Sequence, residues 1–194
     1  MDVKNVCELL QAEKVTLSCG VQTVWLMLFK HLDQNPDIKL EKLSRVVIGG
    51  SAAPRAMLRR FEEQFGARVI HAWGMTEMSP LGTTGNLKAK HMDLPFDARL
   101  DVQAKQGRAV YGVDLKIIDD EGNELPRDGK AFGNLMVRGP WITKGYFKGE
   151  GGNVLDNEHW FNTGDVATLD PEGYMQITDR SKDVIKSGGE WISS

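Results

Sequence analysis

Three times within the first 78 residues an amphipathic stretch gives way to a short apolar run, and glycine stands at or near the end of each run. Asp2 can cap a first helix whose apolar positions Val6, Leu9 and Leu10 share a face. Val15 to Cys19 then reads as a strand ended by Gly20, and Gln22 to His31 as a helix turning Val24, Met27 and Leu28 inward. Leu43 to Ile48 is a second apolar run, stopped by Gly49-Gly50. Pro54 suits the first position of a third helix, where its missing N–H costs nothing, and Met57, Leu58, Phe61 and Phe65 give that helix its apolar face. Gly66 closes it before the strand Arg68–Ala72. Helix–strand alternation at this spacing leaves few choices. It predicts an α/β fold with a layered, mostly parallel sheet.

The pattern changes after Pro80. Leu81 to Ala104 has no clear period and reads as an irregular, partly mobile loop. From Gly107 the chain is rich in β-formers and glycine. Val113, Leu115 and Ile117 alternate, Asp120-Glu121-Gly122-Asn123 reads as a hairpin turn, and Asp170-Pro171-Glu172-Gly173 as a type I turn before a strand from Tyr174 to Thr178. This predicts a small antiparallel β subdomain over residues 105–178, following an α/β subdomain over 1–104.

Composition narrows the function classes. Of 194 residues, 24 are basic and 27 acidic, so the net charge of −3 gives no electrostatic footprint for nucleic acid. No apolar run has the length of a membrane span, and the N-terminus lacks the charged and apolar regions of a signal peptide. Cys7 and Cys19, like the four scattered histidines, lack the spacing of a metal site, and so few thiols suit a reducing cytoplasm.

Five stretches can carry chemistry. In Val69–Pro80 a strand ends at Gly74 and delivers Thr76 and Glu77 side by side at its carboxyl end, where open α/β sheets bind ligands. A hydroxyl beside a carboxylate can grip a phosphate and hold its Mg²⁺; a plain polar loop would read the same way. Gly49–Pro54 joins strand to helix through small residues, which suits either a flat ligand against the backbone or a tight packing turn. Asp165, after Thr163-Gly164, can accept both hydroxyls of a ribose or sit in a solvated turn. Asp179–Asp183 is a charge run, read as a solvated loop or a hinge. Lys186–Trp191 is a Gly-rich turn that can line a ligand path or close a hairpin.

Taken in this order and at these separations, the stretches resemble the adenylate-forming enzymes, the superfamily of acyl-CoA synthetases, luciferases and peptide-synthetase adenylation domains. Trp73-Gly74-Met75-Thr76-Glu77-Met78-Ser79-Pro80, Trp160–Asp165 and Asp179–Ser194 make the likeness strongest to medium- and long-chain fatty-acyl-CoA synthetases, over essentially the whole chain. The resemblance implies a carboxylate substrate, ATP with Mg²⁺, and coenzyme A, with acyl-adenylate forming before the thioester. It implies that Gly50, Ser51, Ala52, Ala53 and Pro54 pack against adenine, with Trp73 stacked on its other side and His71, Ala72, Gly74 and Met75 among the nucleotide-binding positions. Thr76 would bind phosphate, Glu77 the metal, and Asp165 and Arg180 the ribose. Lys182 would lie at the hinge over 179–183, between the large domain and a small one beginning at 184, and would belong to the catalytic set. Gly188, Gly189, Glu190 and Trp191 would help form the CoA channel. The acyl tunnel would involve Val21, Gln22, Thr23, Trp25, Gly49 and Gly74, although a tryptophan on an amphipathic helix serves a core equally well.

Two family features are absent from the sequence: an upstream Ser/Thr/Gly-rich phosphate loop ending in Lys, and a downstream Gly-Lys segment. The expectation is therefore the middle third of a cytoplasmic synthetase, inactive alone, with a homodimer plausible on family grounds. An aryl- or amino-acid-activating relative and a non-catalytic nucleotide-binding module are the alternatives.

Overall fold

In the computed structural model, which describes residues 2–180, 185–187 and 190–192, Asp2 caps the first helix as its sequence implies: its carboxylate accepts the Lys4 N–H at 3.0 Å. Helix α1 (Val3–Ala12) turns Cys7 and Leu10 inward, while Leu9, expected on the inner face, is exposed. Strand β1 (Leu17–Val21) runs through Gly20 instead of ending there. The reason is packing. A Cβ on Gly20 would lie 3.2 Å from the Trp25 ring, whose indole N–H donates to the Gly20 carbonyl at 3.1 Å. Glycine here is a flat seat for an indole and does not break the strand.

Helix α2 (Gln22–Gln34) buries Trp25, Leu28, Phe29 and Leu32; Met27, expected inward, is exposed. β2 (Arg45–Gly49) leads through the Gly50–Pro54 turn to α3 (Arg55–Phe65), which Gly66 closes in the left-handed conformation at φ 62°. Pro54 takes the N-cap position, one residue before the expected one, with extended backbone. β3 (Arg68–Gly74) completes a parallel sheet in the order β1-β2-β3, with Val46 beside Val69 and Ile48 beside His71. Parallel neighbours joined by right-handed crossovers place α2 and α3 on one face. There Phe61 meets Trp25 edge-on at 5.4 Å and Phe29 at 4.7 Å, contacts that contribute about 0.5–1.5 kcal/mol each beyond burial. On the other face Leu17, Cys19 and Val21 of the edge strand stay exposed.

Leu81–Ala104 is more ordered than its sequence suggests. It contains β4 (Leu81–Thr84) and α4 (Phe96–Gln103). Period fails as a guide to α4 because only Leu100 and Gln103 turn fully inward, so the helix is held by side-chain bonds rather than by a broad apolar stripe. Arg55 bonds both Asp97 and Asp101 from α3, Arg59 also reaches Asp97, and Glu62 accepts from Arg99 at 3.1 Å and Gln103 at 2.6 Å. The paired arginines hold the Asp97 carboxyl below its usual range, with the Arg55 hydrogen bond foremost. Leu100 is fully buried. Truncating it to alanine is expected to destabilise the fold by about 2–5 kcal/mol in denaturant titration, whereas a mobile loop would tolerate the change.

The chain divides into two units: residues 1–73 with 85–104, and residues 74–84 with 105–194. The second unit is antiparallel, in the order β4-β5-β9-β8-β7-β6. Its further strands are β5 (Gly107–Ala109), β6 (Asp114–Ile118), β7 (Phe132–Arg138), β8 (Phe161–Leu169) and β9 (Tyr174–Arg180). The alternation of Val113, Leu115 and Ile117 is realised as burial. The Asp170–Gly173 turn closes with the Gly173 N–H on the Asp170 carbonyl at 2.9 Å and Gly173 at φ 84°. The chain reverses after β6 with the Asp119 carboxylate accepting the Asn123 N–H at 2.8 Å. β10 (Ile185–Ser187) and β11 (Glu190–Ile192) form a separate antiparallel pair. No helix among the described residues is long and apolar enough to cross a membrane.

Candidate active site

At the carboxyl edge of the parallel sheet, β1 and β2 end level with each other, Val21 beside Gly49. The residues just beyond them meet directly: the Ser51 hydroxyl donates to the Gln22 side-chain oxygen at 3.0 Å. Gly50, at φ 79°, turns the chain where an added Cβ would touch Val21, and a Cβ on Gly49 would stand 3.2 Å from the Ala72 carbonyl of β3. Small residues are required here for close packing of strand ends. The turn is then pinned from β3. His71 is buried, and its Nε2 lies 3.2 Å from the Ala53 N–H and 3.3 Å from the Ser51 carbonyl. One nitrogen cannot accept from the first and donate to the second at once, so the tautomer decides which bond forms. The sequence places His71 among nucleotide-binding positions; the structure gives it the job of bracing the turn.

Gly50, Ser51, Ala52 and Pro54 are exposed along this edge, and Ala53 is buried. Trp73 is only 8% exposed. Trp25 is 1% exposed and belongs to the core; of the positions on β1 and α2 that the resemblance assigns to an acyl tunnel, Val21 and Thr23 are the exposed ones and Gln22 is half-buried.

In the second unit, Gly74 and Met75 lead into a single 3-10 turn over Thr76–Met78, ended by Ser79 in the left-handed conformation at φ 52°. A Cβ on Gly74 would fall 1.8 Å from the Pro80 carbonyl oxygen, so this glycine serves the crossing of its own backbone. Met78 is fully buried beneath the turn, Thr76 is exposed and Glu77 half-buried. Glu77 is held twice: its carbonyl accepts the Thr143 N–H at 2.7 Å, and its Oε1 accepts the Tyr146 hydroxyl at 2.8 Å. That hydrogen bond, ahead of desolvation, pushes the Tyr146 phenol above its usual range. Sequence reading missed Tyr146, because nothing local links it to a carboxylate 69 positions away.

The sequence offers Asp165, after Thr163-Gly164, as a ribose-accepting carboxylate or a solvated turn residue. In the structure it lies inside β8, in a bulge. Asn134 pairs with Val166 and Met136 with Asn162, so Thr163, Gly164 and Asp165 stand opposite Leu135 alone. Gly164 accommodates the bulge at φ 74°, and the Thr163 hydroxyl donates to the Leu135 carbonyl at 3.0 Å while accepting the Asp165 N–H at 3.1 Å. Bulges re-aim side chains near sites. The register sets Asp165 directly across from Arg180, uniting on one ladder the two residues expected at the ribose. Glu190 and Trp191 lie in β11; Lys182, Gly188 and Gly189 fall outside the described residues.

A glycine-containing turn braced by His71 beside the carboxyl ends of parallel strands, and a carboxylate and hydroxyl on the loop after them, agree with a match to the family of AMP-binding enzymes over residues 1–147. The chain belongs to that family. It is 50% identical over 194 residues to a medium-chain-fatty-acid–CoA ligase of Ectopseudomonas oleovorans, covering all of this chain and 35% of the relative. It is 54% identical over 180 residues to a 3-methylmercaptopropionyl-CoA ligase of Ruegeria lacuscaerulensis, covering 93% of this chain and 33% of that one. Among solved structures, o-succinylbenzoate coenzyme A synthetase of Bacillus subtilis with ATP and magnesium ion superposes with a TM-score of 0.79 at 29% identity, over 99% of this chain and 37% of the other. The chain thus spans about a third of the length of the relatives it matches.

Proposed function

We propose that this chain supplies part of the nucleotide site of an ATP-dependent acid–thiol ligase that activates an aliphatic, fatty-type carboxylic acid as its adenylate and passes the acyl group to coenzyme A. The observation that carries the reading is the Glu77 carboxylate, held half-buried by Tyr146 next to the exposed Thr76 hydroxyl. A single carboxylate with one oxygen left for coordination fits Mg²⁺, which dehydrates reluctantly and is held mostly by phosphate and water. Consistent with that, no cluster of three or more His, Cys, Asp or Glu among the described residues forms an all-protein metal cage. Bound there, Mg²⁺ would neutralise charge on the reacting phosphates.

The chain's own groups have definite tasks in this reading. The Thr76 hydroxyl donates to a phosphate oxygen. The Gly50–Pro54 turn, kept in shape by His71 and Gln22, presents backbone to the adenine edge. Asp165 accepts the ribose hydroxyls, with Arg180 beside it on the ladder. Lys182 serves at the hinge to a small domain, and Gly188–Trp191 at the thiol channel.

The test is a ligase of full family length carrying residues 1–194 in place of the matching third of the medium-chain relative. ATP–pyrophosphate exchange driven by straight-chain acids of about six to ten carbons supports the reading. A folded hybrid that exchanges with no carboxylic acid overturns it. The 54% identity to the methylmercaptopropionyl ligase favours a second reading, a short thioether acid. Preference for that acid over octanoate in the same assay would select it.

A further inference from the structure

We propose that Tyr146 is the positioning residue for Glu77: it occupies one carboxylate oxygen, so that the metal meets only the other, and thereby favours Mg²⁺ over larger divalent cations. The inference rests on the reading of Glu77 as a metal ligand and extends it to a residue and a selectivity which that reading does not contain. Three ties join the Glu77–Ser79 turn to the segment Trp141–Tyr146. One joins backbone to backbone, the Thr143 N–H on the Glu77 carbonyl at 2.7 Å, and one joins side chain to backbone, the Ser79 hydroxyl on the Trp141 carbonyl at 3.3 Å. The third holds the side chain, the Tyr146 hydroxyl on Glu77 Oε1 at 2.8 Å.

The segment is itself ordered for this. Its Thr143 hydroxyl donates to the Gly145 carbonyl at 3.0 Å, and the Tyr146 ring lies against Gly151, where an added Cβ would be in van der Waals contact with it at 3.4 Å. A phenol aimed in this way sets which carboxylate oxygen remains for a cation. Mg²⁺ demands near-octahedral geometry and takes a carboxylate through one oxygen, whereas Ca²⁺ accepts both oxygens of one carboxylate at longer distances. Capping Oε1 therefore suits the smaller ion. Without the cap, the carboxylate can rotate and chelate.

Calorimetric titration of ATP into the hybrid ligase, in Mg²⁺ and separately in Ca²⁺, tests this with wild type, Tyr146→Phe and Glu77→Gln. Phenylalanine keeps the ring and its packing and removes only the hydroxyl. The expected result is an affinity about tenfold weaker in Mg²⁺, the scale typical of groups that orient a metal ligand, with the Ca²⁺ value equal or tighter. Equal losses in both metals would make Tyr146 a general structural latch and overturn the proposal, as would no loss in either. Glu77→Gln separates the two levels: it should abolish the metal dependence. If metal dependence survives in Glu77→Gln, the reading of Glu77 as a metal ligand falls, whatever Tyr146→Phe does.

Discussion

Replacing Glu77 with glutamine in the hybrid ligase is expected to lower the rate of adenylate formation on the order of 100-fold, the scale seen when one charge-stabilising contact to the transition state is lost. The fold should barely notice. Glutamine keeps the length of the side chain and an oxygen able to accept the Tyr146 hydroxyl, and the Thr143 bond goes to the main chain of residue 77. Only the negative charge disappears. The check is pyrophosphate exchange beside a thermal melt, with stability expected to change by less than about 1 kcal/mol. Normal adenylation by that variant would remove the metal role from Glu77. A large loss of stability would mean the carboxylate was holding the turn together.

Gly74→Ala should have the opposite profile, a structural failure. The added methyl would fall 1.8 Å from the Pro80 oxygen, 2.8 Å from the Pro80 carbonyl carbon and 3.0 Å from the Leu81 Cα. All three are main-chain atoms, so no side chain can swing aside, and the turn carrying Thr76 and Glu77 must open. The expected cost is at least about 3 kcal/mol in urea denaturation, at the upper end for overpacking. Gly145→Ala is the control. No atom lies within 4 Å of its added Cβ, so it should stay within about 0.5 kcal/mol of the parent. If Gly74→Ala were equally mild, the glycine would be explained by ligand approach instead of by backbone crossing.

These two glycines show why some of the site could be read from sequence and some could not. Composition and spacing mark glycine as a place where the chain turns or something comes close. They do not say what comes close. At Gly20 it is the Trp25 indole and at Gly74 the chain's own backbone. Expectations failed in the same way wherever a residue's role depended on distant partners. Met27 and Leu9 sit at helical spacing and yet face solvent, and α4 carries no readable apolar period because arginines on α3 hold it.

The sequence by itself determined the alternation that makes the sheet of β1, β2 and β3 parallel, the antiparallel character of the chain beyond Lys105, and the identity of the hydroxyl–carboxylate pair at Thr76 and Glu77. Those depend on period and local conformational preference, which act over a few residues. Only the tertiary structure decided that Asp165 rides a bulge, that His71 braces the Gly50–Pro54 turn, and that Tyr146 holds Glu77. Each is a hydrogen bond or a register set by strands meeting across long stretches of chain, and no local pattern encodes which distant donor will face which acceptor.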